Sequence, residues 1–210
     1  DYGMDVALSL LEKSNAKYLS CNFTDLKENK PVADAYAMET FGSLKVAFVG
    51  VSTPETFTKS TPTYFQDAEG NYIYGFCEGG NGQDLYNAVQ GAVDAAVKEG
   101  ADVVIALGHC GIDEQSSPWT SREIIANTTG LDAFIDGHSH STIPGETVKD
   151  KSGNDVVLTS TGTKLANIGK MTITAEGQVS TELVNGYTEV DAETDAFVKN
   201  IQTQIGRAHV

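Results

Sequence analysis

Apolar residues at Val6, Leu8, Leu10 and Leu11 open the chain with helical spacing and predict an amphipathic helix over 4–15. The run 17–23 (KYLSCNF) reads as a short buried strand. Residues 35–41 and 44–51 read as two strands joined at Gly42-Ser43, a hairpin whose second arm is apolar enough to be buried on both faces. Residues 54–80 carry Thr, Pro, Gly and Tyr without periodicity and read as one long loop, a length uncommon in a compact domain unless it is functional. Leu85, Val89, Ala92, Val93, Ala96 and Val97 recur at helical spacing and predict a helix over 83–99, stopped by Gly100.

The strand 102–107 then ends at Gly108-His109, and the strand 133–136 ends at Gly137-His138. Between them, 116–128 reads as a helix capped near Ser116 or Ser117. The segments 146–149, 155–159, 168–175 and 178–188 alternate as antiparallel strands do, and 191–204 reads as a final helix. Alternating β and α elements followed by a run of strands predict an α/β sandwich rather than a pure Rossmann sheet.

Composition narrows the classes. The chain has 210 residues, 40% of them hydrophobic, which is enough for one domain with a core. Its formal net charge of −15 makes it a poor binder of nucleic acid polymers, which need Lys and Arg to replace counterions. That charge leaves a small phosphate substrate open, because a metal ion supplies a positive field locally. The three cysteines, Cys21, Cys77 and Cys110, are odd in number and lack CxxC spacing, which argues against a disulfide framework and a zinc–cysteine site. No apolar run approaches the roughly 18 residues of a membrane span. The chain opens on Asp1 inside a turn, with no initiator Met, and reads as beginning within a longer sequence. Residues 205–210 (IGRAHV) read as a non-native tail, which removes His209 from the candidate ligands.

The remaining histidines, His109, His138 and His140, each follow a short apolar strand. Loops beyond the carboxyl ends of strands are where α/β folds place their sites. Imidazole is a good ligand for zinc, manganese and iron, and Gly108 and Gly137 are expected to let the backbone turn sharply and approach an ion. His138 and His140, two apart, would serve either two adjacent ions or one. Asp136 reads either as an outer partner that orients a ligand ring or as a strand-end turn residue. Cys110 reads as a soft ligand or as a small packed residue, and Asp113 and Glu114 as exposed loop.

Gly108-His109 followed by Asp136-Gly137-His138-Ser139-His140 resembles the last two motifs of the calcineurin-like metallophosphoesterases. Asp1-Tyr2-Gly3-Met4-Asp5 is similar to the end of that family's GNHEFDYG-type block, Leu19-Ser20-Cys21-Asn22 to its LSAN-type strand, and the segment from Val49 to Thr56 to its GLTTPET-type segment. These blocks resemble the 5′-nucleotidase branch, with its UDP-sugar hydrolases and 2′,3′-cyclic phosphodiesterases, colinearly from residue 1 to about 190.

The resemblance implies a four-layer α/β/β/α metallophosphoesterase sandwich, here partial because the N-terminal strands are missing. Residues 1–190 would form the C-terminal part of that domain, and 191–204 a connector helix toward an absent substrate domain. Two divalent metal ions (Zn, Mn, Fe or similar) are implied. His109 and His138 would bind the second ion, His140 the first, and Asp1 would orient a catalytic histidine upstream. The implied reaction is release of phosphate from nucleoside 5′-monophosphates by a two-metal mechanism, in an extracellular, cell-surface or periplasmic protein, with this piece by itself inactive. The alternatives are a UDP-sugar or 2′,3′-cyclic nucleotide phosphodiesterase of the same branch, a non-catalytic binding module carried by loop 54–80, and a structural zinc site completed by Cys110.

Overall fold

The computed structural model describes residues 2–207. Asp1 and His209 fall outside them. The centre is a six-stranded mixed sheet in the order β3-β4-β6-β7-β9-β8, built from β3 (Tyr36–Phe41), β4 (Leu44–Ser52), β6 (Val103–His109), β7 (Ala133–Ile135), β8 (Thr142–Lys149) and β9 (Asp155–Thr161). The inner strands β4, β6, β7 and β9 run parallel, and β3 and β8 close the edges antiparallel. A three-stranded ribbon pairs β1 (Thr24–Asp25) with β2 (Lys30–Pro31) and β5 (Tyr74–Gly75). A hairpin pairs β10 (Ile168–Ile173) with β11 (Val179–Val184).

The two faces of the central sheet are covered differently. On one face, α3 (Gln83–Glu99) and α4 (Ser121–Asn127) bury Leu85, Val89, Val93, Ile124 and Ile125 against Ala47, Val49, Val104, Ala106 and Phe134. Gly100 ends α3 in the left-handed conformation, φ 101°, with its N–H on Val97 O, as a helix-stopping glycine should. On the other face, the hairpin lays Met171, Ile173 and Val179 over Val46, Val103, Ile105 and Ala133. The mixed α/β fold expected from the alternation of elements is the one observed.

Three local expectations change. Residues 17–23 do not form a strand: Leu19 makes a single bridge to Asp34, and β1 starts at Thr24. This segment instead presses against β4 at Gly50, where a Cβ would lie 2.1 Å from Leu19 O. The 54–80 stretch is not one loop. It holds α2 (Thr56–Lys59), a 3-10 turn at Pro62–Phe65, β5 and a second 3-10 turn at Gly80–Gly82. Its order comes from an aromatic cluster, with Phe23 stacked on Phe76 at 4.7 Å and Phe57 edge-on to Phe65 at 5.2 Å, geometry that leaves no periodic trace in sequence. Finally, α4 starts at Ser121 rather than near Ser116. Thr120 caps it through a reciprocal box, its hydroxyl taking the Glu123 N–H while the Glu123 carboxylate takes the Thr120 N–H.

Toward the two termini, α1 (Met4–Lys13) matches the expected first helix and has no buried residue. The last helix, α5 (Ala192–Arg207), runs into the segment read as a non-native tail.

Candidate functional site

The carboxyl ends of β4, β6 and β7 lie side by side and carry the site. Ser52, the last residue of β4, pairs in register with His109, the last residue of β6. The strand therefore continues through Gly108 instead of ending at Leu107. Gly108 is present for packing and not for a turn: a Cβ there would sit 2.2 Å from the Phe134 ring. Gly137 serves the histidine instead, since a Cβ would approach His109 Nδ1 to 3.0 Å. Neither glycine takes a positive φ; the first left-handed residues beyond them are Gly111, φ 74°, and His138. His138 and His140 themselves adopt left-handed backbone, φ 78° and 56°. Non-glycine residues rarely do so, and such positions concentrate at functional sites.

The loop between β7 and β8 is held by Asp136, which is buried. Its Oδ1 accepts from the N–H groups of Cys110 (2.9 Å), Gly111 (3.1 Å) and Gly137 (2.8 Å), tying the ends of β6 and β7 together. Of the two readings of Asp136, the strand-end brace is the one observed. Cys110 is fully buried within the main core cluster, and burial pushes its thiol well above the ordinary range, the behaviour of a small packed residue. Asp113 and Glu114 are exposed, as expected.

The structure brings His109 and His138 together, with ring centroids 5.1 Å apart and planes at 69°. His109 and His140 reach solvent, and His138 is 14% exposed. The pKa of His109 lies below the ordinary value, first through the partial burial of its ring and then through the fields of His138 and His140, with Asp136 opposing. A neutral imidazole is the ligating form.

Two residues at the site escaped the sequence reading. Glu55, just past β4, is buried and takes His138 Nε2 on Oε2 at 2.8 Å. Ser116 Oγ donates to the same oxygen at 2.5 Å, and Lys59 Nζ stands 3.8 Å from Oε1. Burial raises the Glu55 pKa, but the bonds from Ser116 and His138 and the charges of His138 and Lys59 outweigh it, and the net direction is down. The second is Asn22, also buried. Its Nδ2 donates to Ser52 O (2.7 Å) and Phe76 O (2.8 Å), and its Oδ1 accepts from Ser52 N (3.0 Å), fixing the end of β4 beside His109. The signal for Glu55 was available: it is a carboxylate just beyond a strand's carboxyl end, the same placement that singled out the histidines.

Imidazole is donor chemistry suited to a divalent transition metal, and here two imidazoles are neighbours, one of them braced by a carboxylate. The donor number is short. Among the described residues, no three His, Cys, Asp or Glu side chains converge closely enough to hold an ion. His109 and His138 stand as neighbouring rings, and among the described residues no third such side chain, His140 included, joins them closely enough to complete a site.

With its histidines at the carboxyl end of a mixed sheet, the chain has the fold of a calcineurin-like phosphoesterase. Over its full length it is similar to the solved structure of the calcineurin-like phosphoesterase YfkN from Bacillus subtilis. The TM-score is 0.72 and the identity 18%, over 69% of that chain. In sequence, it is related to nucleotide phosphoesterases. It is 22% identical over 168 residues, 74% of this chain, to a 2′,3′-cyclic-nucleotide 2′-phosphodiesterase/3′-nucleotidase of Salmonella typhimurium. It is 32% identical over 97 residues, 46% of this chain, to a 5′-nucleotidase of Diplobatis ommata. It spans 24% and 13% of the lengths of these two relatives. A scan against protein-family models found no match. The similarity to nucleotidases and cyclic phosphodiesterases thus extends in sequence over up to 74% of the chain, and the likeness of fold over all of it.

Proposed function

We propose that the chain contributes one side of the metal centre of a phosphoesterase that hydrolyses nucleotides, releasing phosphate from nucleoside 5′-monophosphates. The carrying observation is the meeting of His109 and His138 at adjacent strand ends, in a chain related to nucleotide phosphoesterases. In this reading His109 and His138 give imidazole nitrogens to one ion, and His140 gives its ring to the other. Asp1, outside the described residues, orients a histidine that acts on the leaving group. When bound, a pair of divalent ions supplies positive charge to the phosphoryl oxygens and acidifies a water. The chain's own residues do the positioning. Asp136 ties the two loops, Asn22 fixes the strand end next to His109, and Gly137 leaves room for the His109 ring.

A second reading is hydrolysis of 2′,3′-cyclic nucleotides, favoured by the name of the Salmonella typhimurium relative. An extracellular, cell-surface or periplasmic setting goes with either reading. No helix among the described residues is long and apolar enough to cross a membrane.

Both readings require carboxylate and further ligands beyond the two neighbouring rings, and that requirement gives the test. The reading frame upstream of Asp1 is expected to encode an Asp-x-His pair, a Gly-Asp and a Gly-Asn-His-Glu. A protein carrying them should release phosphate with added Mn²⁺ or Zn²⁺, and AMP assayed against 2′,3′-cyclic AMP and UDP-glucose separates the substrates. This chain alone should bind the same ions loosely and hydrolyse none of the three. An upstream frame without these motifs, or an extended protein inert on all three substrates, overturns the proposal.

A further inference from the structure

We infer that Glu55 is a positioning residue, holding the proton of His138 on Nε2 and thereby leaving Nδ1 as the nitrogen with the free lone pair. The His138 Nε2 to Glu55 Oε2 distance is 2.8 Å, that of a charge-assisted hydrogen bond. The two side chains are 14% and 10% exposed, so water competes weakly for either partner. Among the described residues, Nε2 is the ring nitrogen with a protein hydrogen-bond partner, and Nδ1 has none.

An ionised carboxylate only accepts, and a neutral imidazole carries one N–H. The nitrogen facing Glu55 must therefore be a protonated one, and in the neutral ring the other carries the lone pair. The carboxylate is itself held. The hydroxyl of Ser116 donates to Oε2, Lys59 lies toward Oε1, and Glu55 leads into α2 with its carbonyl accepting from Thr58 N and Lys59 N. Glu55 follows β4, His138 follows β7, and Ser116 lies in the connection between β6 and α4. The three meet only in the folded protein, across 83 and 61 residues of sequence. A carboxylate fixed this firmly selects a tautomer and a ring angle, the role outer carboxylates play for ligating histidines. His138 also sits on left-handed backbone, φ 78°, so its position is set by the main chain and its ring by Glu55.

The consequence for a metal rests on the phosphoesterase reading, with Nδ1 of His138 as the donor. The tautomer does not rest on it and is measured without metal. In long-range ¹H–¹⁵N spectra of the metal-free chain near neutral pH, His138 should show the Nε2–H tautomer. Glu55→Gln, whose amide oxygen still accepts, should keep it. Glu55→Ala should let His138 drift to a mixture, and should weaken Zn²⁺ binding about 10–100-fold. A merely structural carboxylate would leave the tautomer unchanged in Glu55→Ala. That result, or an Nδ1–H tautomer in the unaltered chain, overturns the inference. The spectrum of the unaltered chain decides even where Glu55→Ala does not fold. A tautomer that shifts while Zn²⁺ affinity stays constant supports Glu55 as the positioning residue and removes His138 from the metal reading.

Discussion

At the scale of single residues, close approach governs the site more than turn chemistry does. Gly108 and Gly137 look alike in sequence, each standing before a histidine, yet they work differently. Gly108 gives way to Phe134 across the sheet, and Gly137 gives way to the His109 ring. A Gly108→Ala change puts a methyl carbon 2.2 Å from a buried aromatic ring. Overpacking of that kind destabilises by about 1–3 kcal/mol, measured as a lower midpoint in urea unfolding. A midpoint equal to that of the unaltered chain would show that Phe134 has room to move, and Gly108 would then lack its packing role. The histidines were legible in sequence because strand ends are short and sharply marked. Glu55 carried only its place just past a strand end, and Asn22 carried no local mark at all. Their partners, His138, Ser52 and Phe76, are joined by folding across distances that no spacing rule spans.

At the scale of elements, α4 shows how a misplaced boundary follows from a local rule applied to the wrong serine. Ser116, Ser117 and Thr120 are all acceptable caps, and Thr120 is the one used because Glu123 stands three residues on to complete the box. Thr120→Ala should cost about 1 kcal/mol at neutral pH, read from urea unfolding. The cost should depend on pH with a definite sign. Burial raises the Glu123 carboxyl, but hydrogen bonds from Ser117 and Thr120 outweigh it and hold the group below the ordinary glutamate range. A folded-state pKa below the unfolded one adds stability that is present above the unfolded value, about 4.3, and is lost as pH falls through the folded value. The difference between Thr120→Ala and the unaltered chain should therefore narrow in acid below about pH 4.3. A constant difference across that range would mean that the cap acts through Thr120 alone. The 54–80 segment teaches the complementary lesson. It reads as a loop because its elements are two to four residues long. They are fixed by aromatic contacts among Phe23, Phe57, Phe65 and Phe76, not by propensity.

At the scale of the whole molecule, the long periodic elements were legible. The hairpin of β3 and β4, helix α3 and the alternating strands after residue 142 all follow from periodicity that burial on one or two faces imposes. The order in which the strands pair was not, since β7 inserts between β6 and β9 by contacts that the chain makes only in three dimensions. The final helix α5 stands apart from this core. None of its residues within 192–206 is buried, and Phe197, Val198, Ile201 and Ile205 are exposed at 65%, 43%, 39% and 57%. Apolar surface left in water contributes no burial energy to the body it adjoins. A chain ending at Asp191 should therefore melt within about 2 °C of the full chain, since a change of 1 kcal/mol moves the midpoint of a domain this size by about 2–4 °C. It should also be less prone to associate, because the stripe of Phe197, Ile201 and Ile205 is removed with the helix. A drop well beyond that range would show that α5 packs on the body in solution. An unchanged melting point would establish that the sheet, its two covering layers and the histidine loops fold without the helix, which makes the shorter chain the simpler material for the His138 spectra.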